Sequence, residues 1–462
     1  MRVAFFVHCF FPAHFYGTET YTYDLACHLK RTGHDPVVVS AIFPGEPSAG
    51  ELISRYEYNN IPVVCIDKNF LPNTRVKDTY YQEEMRPVLE NLLRKLKPDL
   101  VHVTHLINHT AVLLEVIKGL AIPTVATLTD FFGFCFNNKL EAADGKLCAG
   151  PNLKRTNCLA CYLKDAARAP SAEPWIKWAG ASPRLKWIAP FVSHACSFRP
   201  LRSGPVDGLV QDLRWRPDTL LATYSNYRAV ITPTRFLQAA YQRNGLNVPA
   251  HNIWFGVDVS RAPKPYRSGG TPLFGFIGQI ARHKGTDILV DALRRLGKGR
   301  AKLRIYGPSD QDPVYMNRLR SAADGLAVQF AGTFPKEQMA QIMSEIDVLI
   351  IPSRWYENSP LVLLNALATH TPVIVSNVAG MTEFIQEGEN GFSFERGSSG
   401  ALAAVMQRFA SDRWLAVEMA RKTSFERTTE VMASDTIGVY SRADQAAAQA
   451  SSVIGPGPTS AN

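Results

Sequence analysis

The sequence predicts an α/β protein of two doubly wound, Rossmann-like domains facing a cleft. Three observations carry this prediction. Short apolar runs that suit strands of a parallel sheet recur from the start: VAFFVHCF (3–10), PVVVSAIF (36–43), DLVHVTHL (99–106) and IPTVATLT (122–129). Helical stretches alternate with them, such as Tyr21 to Thr32 closed by Gly33. The rhythm then lapses over roughly 131–228 and restarts. AVITPTRFL (from Ala229) and LFGFIGQI (273–280) lead into LRIYG, VQFAG, DVLIIPS and PVIVSN.

These breaks set the domain expectations. Residues 1–254 form the N-terminal domain, and 255–272, with three prolines and three glycines, form a linker. Residues 273–424 form the second domain and 425–445 a C-terminal helix. The end, 446–462, is Ala, Ser, Gly and Pro without apolar period and reads as disordered.

Composition bounds the function. At 462 residues, 46% hydrophobic and 20% charged, the chain is an ordinary globular protein with a sizeable core. A net charge of +9 suits phosphate ligands, nucleic acid or an anionic membrane surface alike. No nucleic-acid motif accompanies the charge, so no nucleic-acid partner is expected. No apolar run approaches the ~20 residues that span a bilayer, and the N-terminus lacks a signal-peptide cleavage site. The expected location is cytoplasmic, peripheral at the inner face of the membrane. The eight cysteines of so long a chain do not suggest a secreted disulfide scaffold.

The stretch RWYENSPLVLLNALATHTPVIVSN (354–377) is the most informative. Ser359-Pro360 reads as a helix start, with Ser as N-cap and Pro in the first turn. The helix that follows is apolar nearly all round, hence buried, and Thr371-Pro372 ends it. Val348–Ile351 and Val373–Val375 are the flanking strands. Glu357 therefore lies in a loop beyond a strand's carboxyl end, where α/β sheets bind ligands. The helix start beside it favours an anion. Asn365 falls about two turns in, roughly 9 Å along the axis at ~1.5 Å per residue. A ligand with an anionic middle and hydroxyls at both ends fits this arrangement.

Two other loops fit the same ligand. Phe276 to Gly285 joins a strand to the helix from Thr286 and carries Gln279, Arg282 and Lys284, so backbone and charge can approach a diphosphate. Gly17, in the first strand–helix connection, lets the backbone come close to a ligand.

Cys135, Cys148, Cys158 and Cys161 are spaced C-x12-C-x9-C-x2-C. Four thiols with one C-x2-C pair suit a tetrahedral structural zinc; disulfides and free thiols are the alternatives. Leu163 to Arg228 carries ten Lys or Arg against five Asp or Glu, with Trp175, Trp178, Trp187, Phe191 and Trp215. That mixture suits a membrane surface or a lipid-linked acceptor, and equally an insertion whose aromatics pack on the domain. Asp310-Gln311-Asp312 looks like a metal clamp, but acids at a helix start simply favour the dipole. His102 and His105 face opposite sides of a strand, which argues against a metal site there.

Taken together, several segments resemble the GT-B glycosyltransferases of the family 4 type. They are GTETYTYDLACHLKRTGH (17–34), TLTDFFGFC (127–135), TPTRFL (232–237), FGVD (255–258), FIGQIARHKGTDILVDAL (276–293) and YENSPLVLLNALATHTPVIVSNVAGMTEFIQEGENGFSF (356–394). The resemblance covers most of residues 1–440, and the last segment is specific in length and order. It implies transfer of a sugar from a UDP- or GDP-sugar to a hydroxyl acceptor, with retention and without a catalytic metal. A lipid-linked or surface-polysaccharide acceptor is the natural expectation. The related subgroup has a cysteine cluster after this strand.

The resemblance also assigns roles. Glu357 binds the donor hexose or supports its reacting face, and Lys284 with Arg282 meets the diphosphate. Asn358, Ser359 and Leu361 bring the helix start to it. Asp130 takes a polar role near the reacting centre, with Thr129 and His105 on the acceptor side. Three positions depart from the pattern. Asn365 stands where an acid usually holds the ribose, Gln279 where an Arg binds phosphate, and Thr129 where a His precedes the Asp. These departures sustain a rival reading, a GT-B protein that binds without catalysis. A nucleotide-sugar epimerase of the same fold and a glycogen-type polymerase are rivals among enzymes.

Overall fold

The structure is a computed structural model that describes residues 1–168, 172–182, 184–195, 205–265, 270–412 and 414–453. The chain divides into two compact units, 1–253 with 430–462 and 254–429.

The first unit is built on an eight-stranded sheet. Its strands are β1 (Arg2–Phe6), β2 (Asp35–Ile42), β3 (Ile53–Tyr58), β4 (Ile61–Asp67), β5 (Leu100–Val103), β6 (Thr124–Thr127), β7 (Ala229–Thr232) and β8 (Ala250–Asn252), in the order β3-β4-β2-β1-β5-β6-β7-β8. All neighbours are parallel except β3 and β4. That antiparallel pair was not read from the sequence. Its turn is Asn59-Asn60, both left-handed at φ 47° and 66°, the two-residue geometry that matches strand twist. The inner strands β1, β5, β6 and β7 are buried throughout apart from Arg2, as continuous apolar runs require.

The second unit holds β9 (Leu273–Ile277), β10 (Lys302–Tyr306), β11 (Val328–Gly332), β12 (Val348–Ile351), β13 (Val373–Ser376) and β14 (Gly391–Phe394) in one parallel sheet, ordered β11-β10-β9-β12-β13-β14. Its core joins Phe274, Leu303, Ile305, Val348 and Ile350 to the helices Thr286–Leu296 and Ser399–Ser411 through Leu289 and Leu402. Two α/β units with parallel sheets are observed, as read from the sequence.

Three segments differ from expectation. The stretch read as a linker, 255–272, is held against the second unit over its first part. There Lys264 is buried, and its ammonium donates to Met343 O (2.8 Å), Thr371 Oγ1 (2.9 Å) and Ile346 O. The C-terminal helix runs Thr429–Val453, so it starts later than expected and continues into the stretch read as disordered, the rest of which lies outside the described residues. It packs on the first unit, where buried Tyr440 meets His102 Nδ1 at 2.6 Å. The helix after Glu357 runs Leu361–Ala368 with extended Pro360 as N-cap, and Ser359 before it is left-handed at φ 58°. Asn365 is thus one turn in, not two.

Candidate functional sites

The second unit brings two of the expected residues together. Loops after β9 and β12 leave the same edge of the sheet, and Lys284 Nζ reaches Glu357 Oε1 at 2.6 Å. Ser353 Oγ (2.6 Å) and Trp355 Nε1 (3.0 Å) donate to the same oxygen. Burial alone would raise the Glu357 pKa, but the Lys284 charge and the three hydrogen bonds outweigh it and hold the carboxyl below its usual value. Lys284 also lies 5.4 Å from the centre of the Trp355 ring, and His283 packs on that ring at 4.0 Å.

Close backbone approaches fix this loop. A Cβ on Gly285, at φ 75°, would lie 2.0 Å from Pro352 O; one on Gly380, at φ 90°, would lie 1.6 Å from Glu357 O. Only glycine fits either place. Arg354 closes the arrangement through Asp287 at 2.5 Å, and its own carbonyl accepts from Arg396 at 2.6 Å. Ser359 is buried in its left-handed conformation, and its Oγ has no hydrogen-bond partner among the described residues. Backbone strain beside an ionised buried acid is a feature of functional loops.

The other donor-side candidates sit around this group. Leu361 opens the helix, half-buried. Asn365 Nδ2 donates to Leu361 O at 2.9 Å. Gln279 Nε2 donates to Gln311 Oε1 at 2.8 Å, and Arg282 is exposed. Asn358 lies in the loop between Glu357 and the strained Ser359. Asp312 is the N-cap of the helix Pro313–Ala322 and accepts from Tyr315 N at 2.9 Å, so the apparent acid clamp is a helix cap.

In the first unit, His105 Nε2 and Asp130 Oδ2 are 2.9 Å apart, and Asp130 Oδ1 accepts from Phe132 N at 2.8 Å. Thr129 Oγ1 donates to Thr104 O at 3.4 Å. A small cavity is lined by His105, Thr129, Asp130, Phe132 and Tyr224. His102 is buried apart from this group, between Tyr440 and Thr127, and burial pulls its pKa down to about 3. Gly17 starts the helix Gly17–Arg31, and a Cβ there would meet open space, so packing within the chain does not demand the glycine.

Sequence reasoning missed a neighbour of this group. His8 packs 4.3 Å from the His105 ring, and Glu19 Oε1 lies 3.2 Å from His8 Nε2 and accepts from Cys9 Sγ at 3.0 Å. Glu19 is 1% exposed. Burial, then the charges of His105, His109 and His14, keep the His8 pKa well below its ordinary value. The signal was a lone acid, Glu19, opening a helix, with His8-Cys9 just beyond the end of the strand before it. Ser353 and Trp355 were missed as well, although both stand within four residues of the acid they satisfy.

The long segment 163–228 forms helices Pro174–Ala181, Leu185–Ala195 and Pro205–Tyr224 after Thr156–Ala166. They share a small core of Leu159, Leu163, Ala179, Leu185, Ala189 and Leu213. The large aromatics stay outside it: Trp178 is 68%, Trp187 70% and Phe191 74% exposed. Trp215 is exposed too, and Trp175 lies at the margin. No helix among the described residues is long and apolar enough to cross a membrane.

Comparison with known proteins agrees with this architecture. Residues 15–141 match the family described as Glycosyltransferase Family 4, and residues 271–412 match Glycosyl transferases group 1. The chain has the GT-B glycosyltransferase fold. It is similar over 96% of its length to sucrose-phosphate synthase of Thermosynechococcus elongatus, covering 99% of that chain at TM-score 0.61 and 17% identity. It is similar over 98% of its length to Anabaena HepE in complex with UDP, covering all of that chain at TM-score 0.59 and 15% identity. An uncharacterized glycosyltransferase of Methanocaldococcus jannaschii is 30% identical over 170 residues, 36% of this chain. That match spans 43% of the relative, less than half its length.

Proposed function

We propose that the chain is a retaining glycosyltransferase. It moves a hexose from a UDP- or GDP-sugar to a hydroxyl acceptor that is lipid-linked or part of a surface polysaccharide. The observation that carries this reading is the Lys284–Glu357 couple, an ionised buried acid beside a cation on adjoining loops of a doubly wound sheet. All three donors recorded on Glu357 reach Oε1, so Oε2 is left to take a sugar hydroxyl. Lys284 and exposed Arg282 stabilise the charge that develops on the leaving diphosphate, and the start of the helix Leu361–Ala368 adds its dipole. Asn365 holds the ribose through its amide, at some cost in strength relative to an acid. Asp130 and His105 orient the acceptor hydroxyl, and Thr129 adds a hydroxyl of its own. None of these steps needs a catalytic metal.

The exposed Trp178, Trp187 and Phe191, in a basic segment, support a peripheral place at the cytoplasmic face of the membrane. The UDP held by HepE, a protein of the same fold, supports a nucleoside diphosphate as donor group.

The test is transfer itself. Purified protein is incubated with UDP- and GDP-hexoses and membrane lipid extract, and the anomeric configuration of the product is read by NMR. Transfer with retained configuration is expected. Nucleotide binding without turnover of any sugar would favour the binding-protein reading, which Gln279, Thr129 and Asn365 motivate. Epimerised donor formed without acceptor would favour an epimerase.

A further inference from the structure

The four clustered cysteines converge in the first unit. Cys135 ends a tight turn, its N–H donating to Phe131 O at 2.8 Å. Residues 140–148 fold back on themselves, with Ala142 N bonded to Lys146 O (2.8 Å), Cys148 N bonded to Leu140 O (2.7 Å) and Gly145 left-handed at φ 82°. Cys158 and Cys161 stand three residues apart in the helix Thr156–Ala166, hence on one face. All four line a single small cavity with Glu141 and Asn157. Three thiols turn to nearby oxygens: Cys135 to Asn137 Oδ1 (3.0 Å), Cys148 to Gly150 O (3.3 Å) and Cys161 to Glu141 O (3.6 Å). Thiols are weak donors, so little holds them there. Rotation between staggered wells carries a cysteine sulfur roughly 3 Å, enough to turn each toward the shared cavity.

A second observation concerns charge. Arg216 is 2% exposed, its guanidinium lies 4.7 Å over the Phe132 ring, and its Nη1 has no hydrogen-bond partner among the described residues. No salt bridge to it is recorded among those residues, yet a guanidinium stays protonated, and a buried cation is costly unless paired. Cys135 and Cys158 lie within its electrostatic reach, together with Tyr224 and the carboxylate of Asp130.

We propose that Cys135, Cys148, Cys158 and Cys161 bind one zinc ion as four thiolates, with Arg216 as the buried countercharge. Binding releases the four thiol protons to solvent and leaves a centre of net charge −2, which the guanidinium offsets in part. A closed four-sulfur site is structural. It clamps residues 135–148, a few residues downstream of Asp130, to the helix Thr156–Ala166, and so stiffens the segment that follows the acceptor-side residues.

The test is metal analysis of the full chain purified from zinc-supplemented culture. One zinc per chain is expected, lost in Cys158→Ser and kept in Cys9→Ser. The Cys9 variant matters because His8, Cys9 and Glu19 place ligand atoms within 4.8 Å of one another and form a rival site. Cobalt exchanged into the unaltered protein should show sulfur-to-metal charge transfer and strong tetrahedral visible bands, a readout that needs no variant to fold. Arg216→Met should weaken zinc about tenfold in chelator competition; unchanged affinity would remove the countercharge role. Absence of stoichiometric metal with all thiols freely titrating would overturn the proposal. Disulfides among the four in anaerobically prepared protein, or a zinc that departs with Cys9→Ser, would overturn it equally.

Discussion

Lys284 and Glu357, 73 residues apart in sequence, meet at 2.6 Å, and the pair is what keeps a buried carboxylate ionised. Removing the cation leaves Glu357 with Ser353 and Trp355 as its donors among the described residues. Lys284→Met should lower turnover by at least ~100-fold, since a preorganised charge at the leaving group is worth about 3 kcal/mol. The same variant reports on acid stability. The Glu357 pKa is lowered in the folded state, so its stabilising contribution is present above the ordinary carboxylate range and is lost as pH falls through the folded value. Without Lys284 burial moves the Glu357 pKa back up, so the stability lost between neutral and acid pH, read from urea midpoints by circular dichroism, should be smaller in Lys284→Met than in the unaltered protein.

Gly380 and Gly17 make a paired contrast. A Cβ at Gly380 would strike Glu357 O, whereas one at Gly17 meets open space. Gly380→Ala should destabilise the fold by about 2–4 kcal/mol, seen as a lower urea midpoint. Gly17→Ala should leave that midpoint unchanged.

Asn365 donates to Leu361 O and offers a neutral amide where an acid is usual among the enzymes this chain resembles. Asn365→Glu should tighten nucleotide binding roughly tenfold, the gain of about 1.4 kcal/mol expected when a neutral hydrogen bond becomes charge-assisted. Calorimetric titration of both proteins with UDP and GDP measures it.

The exposed aromatics give a prediction of a different kind. Trp178→Ser with Trp187→Ser should leave the melting temperature within a degree or two, because neither side chain is buried. Co-sedimentation with vesicles of anionic lipid should fall several-fold. Unchanged sedimentation would remove the membrane-surface role.

The strands were largely legible. β1, β5, β6, β12 and β13 appear as apolar runs because strands buried on both faces leave that mark. The β3–β4 pair did not, as Ile53–Tyr58 alternates only weakly and the Asn59-Asn60 turn went unread. The helix start after Glu357 was misplaced for a tertiary reason. Local propensity makes Ser359 a good cap, but the chain is left-handed at Ser359, beside the close approach of Gly380 to the Glu357 carbonyl, and Pro360 takes the cap. Glu357, Asn365, Arg282, Lys284 and Gly17 were legible as loop or helix positions with suitable chemistry, and Asp130 and Thr129 were named from resemblance. The pairing of site residues was not legible, since nothing local in the sequence says that Lys284 and Glu357 touch, or that His8 and Glu19 stand beside His105.

The central claim is that Lys284 and Glu357 form a nucleotide-sugar site. Thermal unfolding with UDP, GDP and ADP, on the unaltered protein and on Lys284→Ala, tests it most directly. One nucleotide at about 100 times its Kd should add roughly 2.7 kcal/mol of stability and raise the Tm of the unaltered protein, and the shift should vanish in a folded Lys284→Ala. A shift of equal size in both proteins, or none with any nucleotide, would contradict the account.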